Sequence, residues 1–147
     1  MLADVCRTLR RAGSRYLLWL PMYSVTVRTD FIAQHYLIGG DWGPENERNS
    51  HHYVLELQLD GADLNEHGYL VDIVQVEAAL GETRGYFADR LLNELPEFEG
   101  LNPSIEHFAR ILCQRLGTRV TAPNLSGISV RLWENELASA SYRQALK

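Results

Sequence analysis

Two runs of alternating residues, separated by a glycine-rich loop, constrain the fold of this chain more than any other feature. Apolar residues keep to the odd positions from Tyr23 to His35, and again from His51 to Leu59. Successive side chains of a strand point to opposite faces, so each run predicts a strand with one apolar face. The loop, residues 38–50, favours neither a helix nor a regular strand, because it contains Gly39, Gly40, Gly43 and Pro44. The pattern predicts an antiparallel pair with one face on the core and one in water.

Two helices are predicted after this pair. Asp72 is typical of an N-cap, and the apolar residues that follow it have helical spacing. Residues 81–100 are interpreted as a broken helix and a loop. A second helix is predicted to start with Asn102 as its N-cap and Pro103 at its first position, and to stop at Gly117.

Residues 127–134 and 138–143 predict two more strands, which complete the order strand-strand-helix-helix-strand-strand. This order is typical of an α+β fold, here a four-stranded antiparallel sheet with two helices on one face. By alternation, Glu134 would end a row of apolar residues, Ile128, Val130 and Leu132. A buried carboxylate needs a partner, since burying it unpaired is costly.

Composition limits the class of protein. The 147 residues suit one domain, and 46% hydrophobic and 22% charged residues are ordinary for a globular protein. The net charge of −5 and the lack of a basic stripe argue against nucleic-acid binding. No apolar run is long enough to span a bilayer. The two cysteines, Cys6 and Cys113, form no metal-binding spacing and no evident disulfide framework, which fits the cytoplasm.

Residues 1–21 differ from the rest of the chain. They contain four arginines and a single acid, and their apolar run, residues 16–20, is too short for a convincing signal peptide. We expect a mobile or loosely docked extension, with Met22 as the natural start and residues 22–147 as the domain. A transit-like or export segment is the alternative.

The histidines on either side of the loop are candidate metal ligands. His35 lies at the far end of the apolar face of the first strand, and His51 shares the apolar face of the second, whereas His52 points away. A face that carries one imidazole from each strand suits zinc, which neutral ring nitrogens ligate. The same spacing also occurs for hydrogen-bonded core or surface histidines, so both interpretations stay open.

Four segments resemble one known family. The first segment has the pattern F-x-A-x-H, a loop and H-x-H-x-[YF], with Asn49 in place of the first of the paired histidines. This pattern resembles that of the 6-pyruvoyltetrahydropterin and 6-carboxytetrahydropterin synthase family. GYLVDIVQVEAAL, NPSIEHFARIL and VRLWENELASASYR resemble that family's first helix opening, second helix opening and closing hairpin. Together these segments cover most of residues 22–147 in the family's order.

The resemblance implies a tunnelling fold and a zinc site formed by His35, Asn49 and His51, in which Asn49 replaces a histidine. It implies that Glu134 anchors the 2-aminopyrimidinone edge of a pterin, with Ser104 and Glu106 as further substrate-binding residues. Ser104 can equally be a helix-start residue, and Glu106 can equally be an acid favoured by the helix dipole. The family assembles as rings, so we expect a homo-oligomer, for example a hexamer, that forms a barrel with active sites between subunits.

The resemblance also implies a catalytic base. Glu45 or Glu47 occupies the loop where the family typically has a cysteine, and variants with glutamate there exist. Ala88 and Asp89 stand where an Asp-His pair is expected, so Asp89 is either a substitute base or a surface acid. The expected activity is zinc-assisted elimination or retro-aldol cleavage on dihydroneopterin triphosphate or a relative. The alternative is a non-catalytic homologue that binds a pterin or a purine-like ligand.

Overall fold

Two long strands pair over their whole length and set the frame of the structure, a computed structural model that describes residues 21–146. Strand β1 (Tyr23–His35) runs antiparallel to β2 (Asn49–Gly61). The register places Tyr23 opposite Gly61 and His35 opposite Asn49. The predicted N-terminal extension lies outside the described residues, apart from Pro21.

Two shorter strands complete a single antiparallel sheet in the order β1-β2-β3-β4. Strand β3 (Gly127–Trp133) pairs with β2, and β4 (Ser139–Ala145) pairs with β3. Helix α1 (Ile73–Phe87) packs on β1, and helix α2 (Ile105–Gly117) packs on β3 and β4. The predicted four-stranded α+β fold is confirmed.

The bounds of the helices differ from the prediction. Helix α1 continues through Gly81 and Gly85 to Phe87, because both glycines lie on its exposed side while buried residues at helical spacing hold the other side on the sheet. Two short 3-10 turns, Leu92–Glu94 and Pro96–Phe98, follow it.

Helix α2 begins two residues later than predicted. The Ser104 hydroxyl accepts a hydrogen bond from the His107 backbone N–H and caps the helix. Asn102 does not serve as the cap, since its side-chain oxygen accepts from the Ile38 N–H in the loop after β1.

The core lies between the sheet and the helices. Its centre is Phe108, which is fully buried and lies 5.1–6.0 Å, between ring centroids, from four other aromatic rings. These rings are Phe31, Tyr53, Phe87 and Phe98. The aromatic cluster therefore joins the first two strands to both helices. Within residues 21–146, no helix has the length and apolar character needed to cross a membrane.

Replacing Phe108 by alanine should destabilise the fold strongly, because the cavity would lie where both helices meet the sheet. We expect a loss of about 3–5 kcal/mol in the free energy of unfolding, measured by urea denaturation. Tyr69→Ala, at an exposed aromatic residue, is the control and should change it by less than about 0.5 kcal/mol. Equal effects of the two substitutions would contradict this account of the core.

Candidate metal centre

Two histidines meet at the end of the helix-covered face of the sheet. His35 is the last residue of β1, and His51 is the third residue of β2. Their rings stack with centroids 4.8 Å apart and planes inclined by 13°. His35 is 4% exposed, and His51 is half-buried. The structure thus brings the two predicted imidazole ligands together.

A carboxylate from the loop joins the two rings. Glu45 lies on a 3-10 turn, Gly43–Asn46. Its Oε2 atom lies 3.6 Å from Nε2 of His35 and 3.9 Å from Nε2 of His51. One ligand atom from each of the three residues lies within 4.8 Å of the others, so the group could hold a metal ion. The Glu45 side chain is 47% exposed and reaches the group from the solvent side.

Two buried polar atoms at this site have no hydrogen-bond partner. They are Oδ1 of Asn49 and Nε2 of His51. Asn49 faces His35 across the β1–β2 ladder, and its amide nitrogen donates to the Glu47 carbonyl, which leaves its oxygen free. A buried polar atom without a partner is costly. The residues present therefore fit a cation, which both atoms could ligate.

The surroundings of His35 favour its neutral form. Burial lowers the pKa of His35, the charge of His51 lowers it further, and the Glu45 carboxylate partly opposes both effects. A neutral imidazole has the free lone pair that a metal needs. Nδ1 of His35 lies 3.0 Å from the Tyr53 hydroxyl, so Nε2 is the atom directed toward Glu45.

Tyr53 connects this group to the predicted pterin anchor. Burial raises the pKa of the Tyr53 phenol well above its usual value, and the negative charges of Glu134 and Glu45 raise it further. The carboxylate of Glu134 is thus close enough to act on the same buried phenol. Glu134 therefore acts on a phenol that also contacts the metal candidate His35.

The position of Glu134 differs from the prediction. Strand β3 ends at Trp133, one residue before it, and the Glu134 N–H donates to the Ala138 carbonyl across the turn. Glu134 is therefore half-buried, not enclosed with the apolar row of β3. It also lines a pocket of about 660 Å³, whose other wall residues include Arg28 and His52 and lie on the face of the sheet opposite the helices.

Glu47 and Asp89 do not join the group around His35. Glu47 is exposed at the end of the loop. Asp89 is exposed in a left-handed conformation, with φ of 61°, and its N–H donates to the Ile32 carbonyl on the outer edge of β1. It lines a separate pocket of about 250 Å³ together with His52.

Ser104 and Glu106, which the resemblance implies as substrate-binding residues, lie at the start of α2. Ser104 is the N-cap, and Glu106 lies exposed in the first turn. Neither belongs to the group of His35, Glu45 and His51.

Two contributors to the site were not predicted. Tyr53 could have been suspected, because it lies two residues after His51 and shares its face. Asn46 has no such signal in the sequence. Its amide nitrogen donates to the carbonyls of Leu37 and Gly40, and its oxygen accepts from the Trp42 N–H.

Further bonds hold the same loop against the connector between the helices. The backbone N–H of Tyr36 donates to the side-chain oxygen of Asn93, whose amide nitrogen donates back to the Tyr36 carbonyl. The Leu37 N–H donates to the Glu45 carbonyl. Together these bonds fix the residue that brings the carboxylate to the histidines.

A family model described as 6-pyruvoyl tetrahydropterin synthase matches residues 24–145. The chain belongs to this family. The resemblance found in the motifs is thereby confirmed. Membership supports a pterin-processing lyase in general terms, and the group of His35, Glu45 and His51 is a candidate site for the zinc that family members use.

Solved structures show the same fold at low identity. Caenorhabditis elegans 6-pyruvoyl tetrahydropterin synthase matches with a TM-score of 0.72 and 19% identity, over 85% of this chain and 97% of that one. The Plasmodium falciparum enzyme matches with a TM-score of 0.70 and 12% identity, over 85% and 99%. A putative dihydroneopterin aldolase from Vibrio cholerae matches with a TM-score of 0.51 and 17% identity, over 86% and 99%. Comparison with curated proteins finds no match.

Replacing Asn46 by alanine should loosen the loop that positions Glu45, because three hydrogen bonds are lost together. We expect the Leu37 and Trp42 amides to exchange with deuterium at least ~5-fold faster in hydrogen-exchange mass spectrometry, as a locally weakened segment should. Arg48→Ala is the control, since Arg48 bonds to Gln34 at the end of the same loop. Unchanged exchange in Asn46→Ala would show that other contacts hold the loop.

Proposed function

We propose that this chain is a metal-dependent lyase that cleaves the side chain of dihydroneopterin triphosphate or a close relative, by elimination or retro-aldol cleavage. The observation that carries the proposal is the convergence of His35, His51 and Glu45 within 4.8 Å at one end of the buried face. Family membership supplies the pterin class of substrate.

The metal in this proposal is zinc, held by His35, His51 and Asn49. The support is the stacked imidazole pair, the lowered pKa of His35, which burial causes, and the unpartnered oxygen of Asn49 opposite His35. An amide oxygen is a weaker zinc ligand than imidazole, so we expect weaker binding than three histidines would give. When bound, zinc supplies Lewis-acid polarisation of the substrate's side-chain oxygens, which acidifies the neighbouring C–H and O–H groups.

Glu45 is the proposed base. Its carboxylate reaches both imidazole nitrogens from the solvent side, so a substrate held there would present its acidified proton to Glu45. A structure of the Plasmodium vivax enzyme with a glutamate replaced by alanine is described as a catalytic residue mutant, which supports glutamate chemistry in a similar fold. Glu47 and Asp89 are disfavoured as the base, because neither belongs to the group that His35, Glu45 and His51 form.

Glu134 is the proposed pterin anchor. A carboxylate accepts hydrogen bonds from two parallel N–H donors with good directional fit, and such donors line the 2-aminopyrimidinone edge of a pterin. Its half-buried position just after β3 and its electrostatic effect on Tyr53, whose ring lies on the helix-covered face, support this role. Substrate binding by Ser104 and Glu106 and assembly into a homo-oligomeric ring stay predictions.

One observation favours a second candidate function. The expected Asp-His pair is replaced by Ala88 and Asp89, and Asp89 lies on the outer edge of β1. A protein without that proton relay could bind a pterin or a purine-like ligand at Glu134 without cleaving it. Turnover by the zinc-loaded protein distinguishes the two functions.

Replacing Glu45 by glutamine should abolish turnover and preserve zinc binding, because the amide keeps the shape and cannot accept the proton. We expect turnover of dihydroneopterin triphosphate to fall at least ~100-fold, while zinc content by mass spectrometry stays at the wild-type level. Chelation of zinc should abolish wild-type activity, and zinc should restore it.

Three results would contradict these roles. Loss of zinc in Glu45→Gln would make Glu45 a ligand and not the base. Loss of turnover in Glu47→Gln, with Glu45→Gln active, would move the base to Glu47. A wild-type protein that binds dihydroneopterin and never cleaves its triphosphate, even with zinc, would support the binding function.

Replacing Glu134 by glutamine should weaken pterin binding, because one oxygen acceptor becomes a donor that faces the pterin N–H groups. We expect the dissociation constant for dihydroneopterin to rise about 10–100-fold, as for other hydrogen bonds to charged groups, measured by calorimetry. Glu136→Gln, an exposed acid in the same turn, is the matched control. Unchanged affinity in Glu134→Gln would refute the anchor.

A further inference from the structure

Tyr53 contacts the predicted metal ligand His35 in a way that packing does not require. Its ring belongs to the aromatic cluster and lies edge-on to Phe108, with centroids 5.2 Å apart. A phenylalanine ring would fill the same space. The hydroxyl, in contrast, hydrogen-bonds only to Nδ1 of His35 among residues 21–146, at 3.0 Å.

This hydrogen bond can form in both neutral forms of His35, because a phenol hydroxyl can donate or accept. When the proton is on Nδ1, it is donated to the Tyr53 oxygen, and the lone pair of Nε2 points toward Glu45 and the proposed metal position. When the proton is on Nε2, the Tyr53 hydroxyl donates to Nδ1 and no lone pair is available for a metal. Only the first form can ligate through Nε2.

Burial makes the hydrogen bond between Tyr53 and His35 costly to lose. Tyr53 is 1% exposed and His35 is 4% exposed, so water cannot replace a lost partner at Nδ1. The ring of His35 is also held between Tyr53 on one nitrogen and Glu45 on the other, which restricts its rotation. Metal-ligating histidines generally depend on such a partner on the second nitrogen for their tautomer and orientation.

We propose that Tyr53 is a positioning residue for the metal: its bond to Nδ1 fixes the His35 ring with Nε2 facing the site, and its oxygen accepts the Nδ1 proton when a metal occupies Nε2. The proposal rests on the proposed metal site and adds to it a residue that does not itself contact the metal or the substrate.

The test is zinc affinity, measured by competition with a chromophoric chelator. Tyr53→Phe should bind zinc about 10–100-fold more weakly than the wild type, as expected when a ligand loses its supporting partner. The visible absorption of the cobalt-substituted protein should also change, since it reports the ligand geometry. The matched control is Tyr86→Phe, which removes a single phenol hydrogen bond, to Glu97, away from the site.

The control separates positioning from stability. We expect the metal-free melting temperature to fall by similar amounts in the two variants, while zinc affinity falls only in Tyr53→Phe. Equal zinc affinity in Tyr53→Phe and the wild type would overturn the proposal. A wild-type protein that binds no zinc would instead overturn the proposed function, so the two failures are distinguishable.

A measurement on the unmodified protein keeps the proposal testable if Tyr53→Phe does not fold. Nitrogen-15 NMR of the zinc-loaded wild type should show His35 protonated at Nδ1 and bound to zinc through Nε2. Zinc bound through Nδ1, or a proton absent from Nδ1, would contradict the role given to Tyr53.

Discussion

The register between β1 and β2 is the constraint on which the rest of the site depends. It sets His35 opposite Asn49 and places His51 two residues further along, on the same helix-covered face. A shift by one residue would turn one of these sets to the outer face and separate the imidazoles. The register is held by thirteen paired positions and by the aromatic residues Phe31 and Tyr53, which are directly opposite one another and buried. The same packing that stabilises the core therefore aligns the candidate ligands.

Much of this arrangement could be predicted from residue order, because strand alternation is a short-range rule. The positions of His35 and His51 on the core face followed from the two-residue alternation of side chains along a strand. The approach of Glu45 did not, since it depends on hydrogen bonds from Asn46 and on contacts with a connector more than 40 residues away. The burial of Glu134 was also overestimated, because alternation applies only as far as the strand continues, and β3 ends at Trp133.

The helices show the same division between local and tertiary information. Residues 81–100 were interpreted as a broken helix and a loop, yet α1 continues to Phe87 because its buried side is anchored on β1. Asn102 has the chemistry of an N-cap, and its side chain is used instead by a loop that is distant in the sequence. In both cases tertiary contacts outweighed a local preference of about 1 kcal/mol.

The anchoring of the loop after β1 limits how this site can change during evolution. Asn93 and Asn102, which lie before the second helix, bond to the backbone of Tyr36 and Ile38. Loop side chains that make no such bonds can be exchanged, whereas an added or deleted residue would displace Glu45 relative to both attachment points. Related chains should therefore conserve the length of this segment more strictly than its composition, and acquire new reactivity there by exchanging single residues.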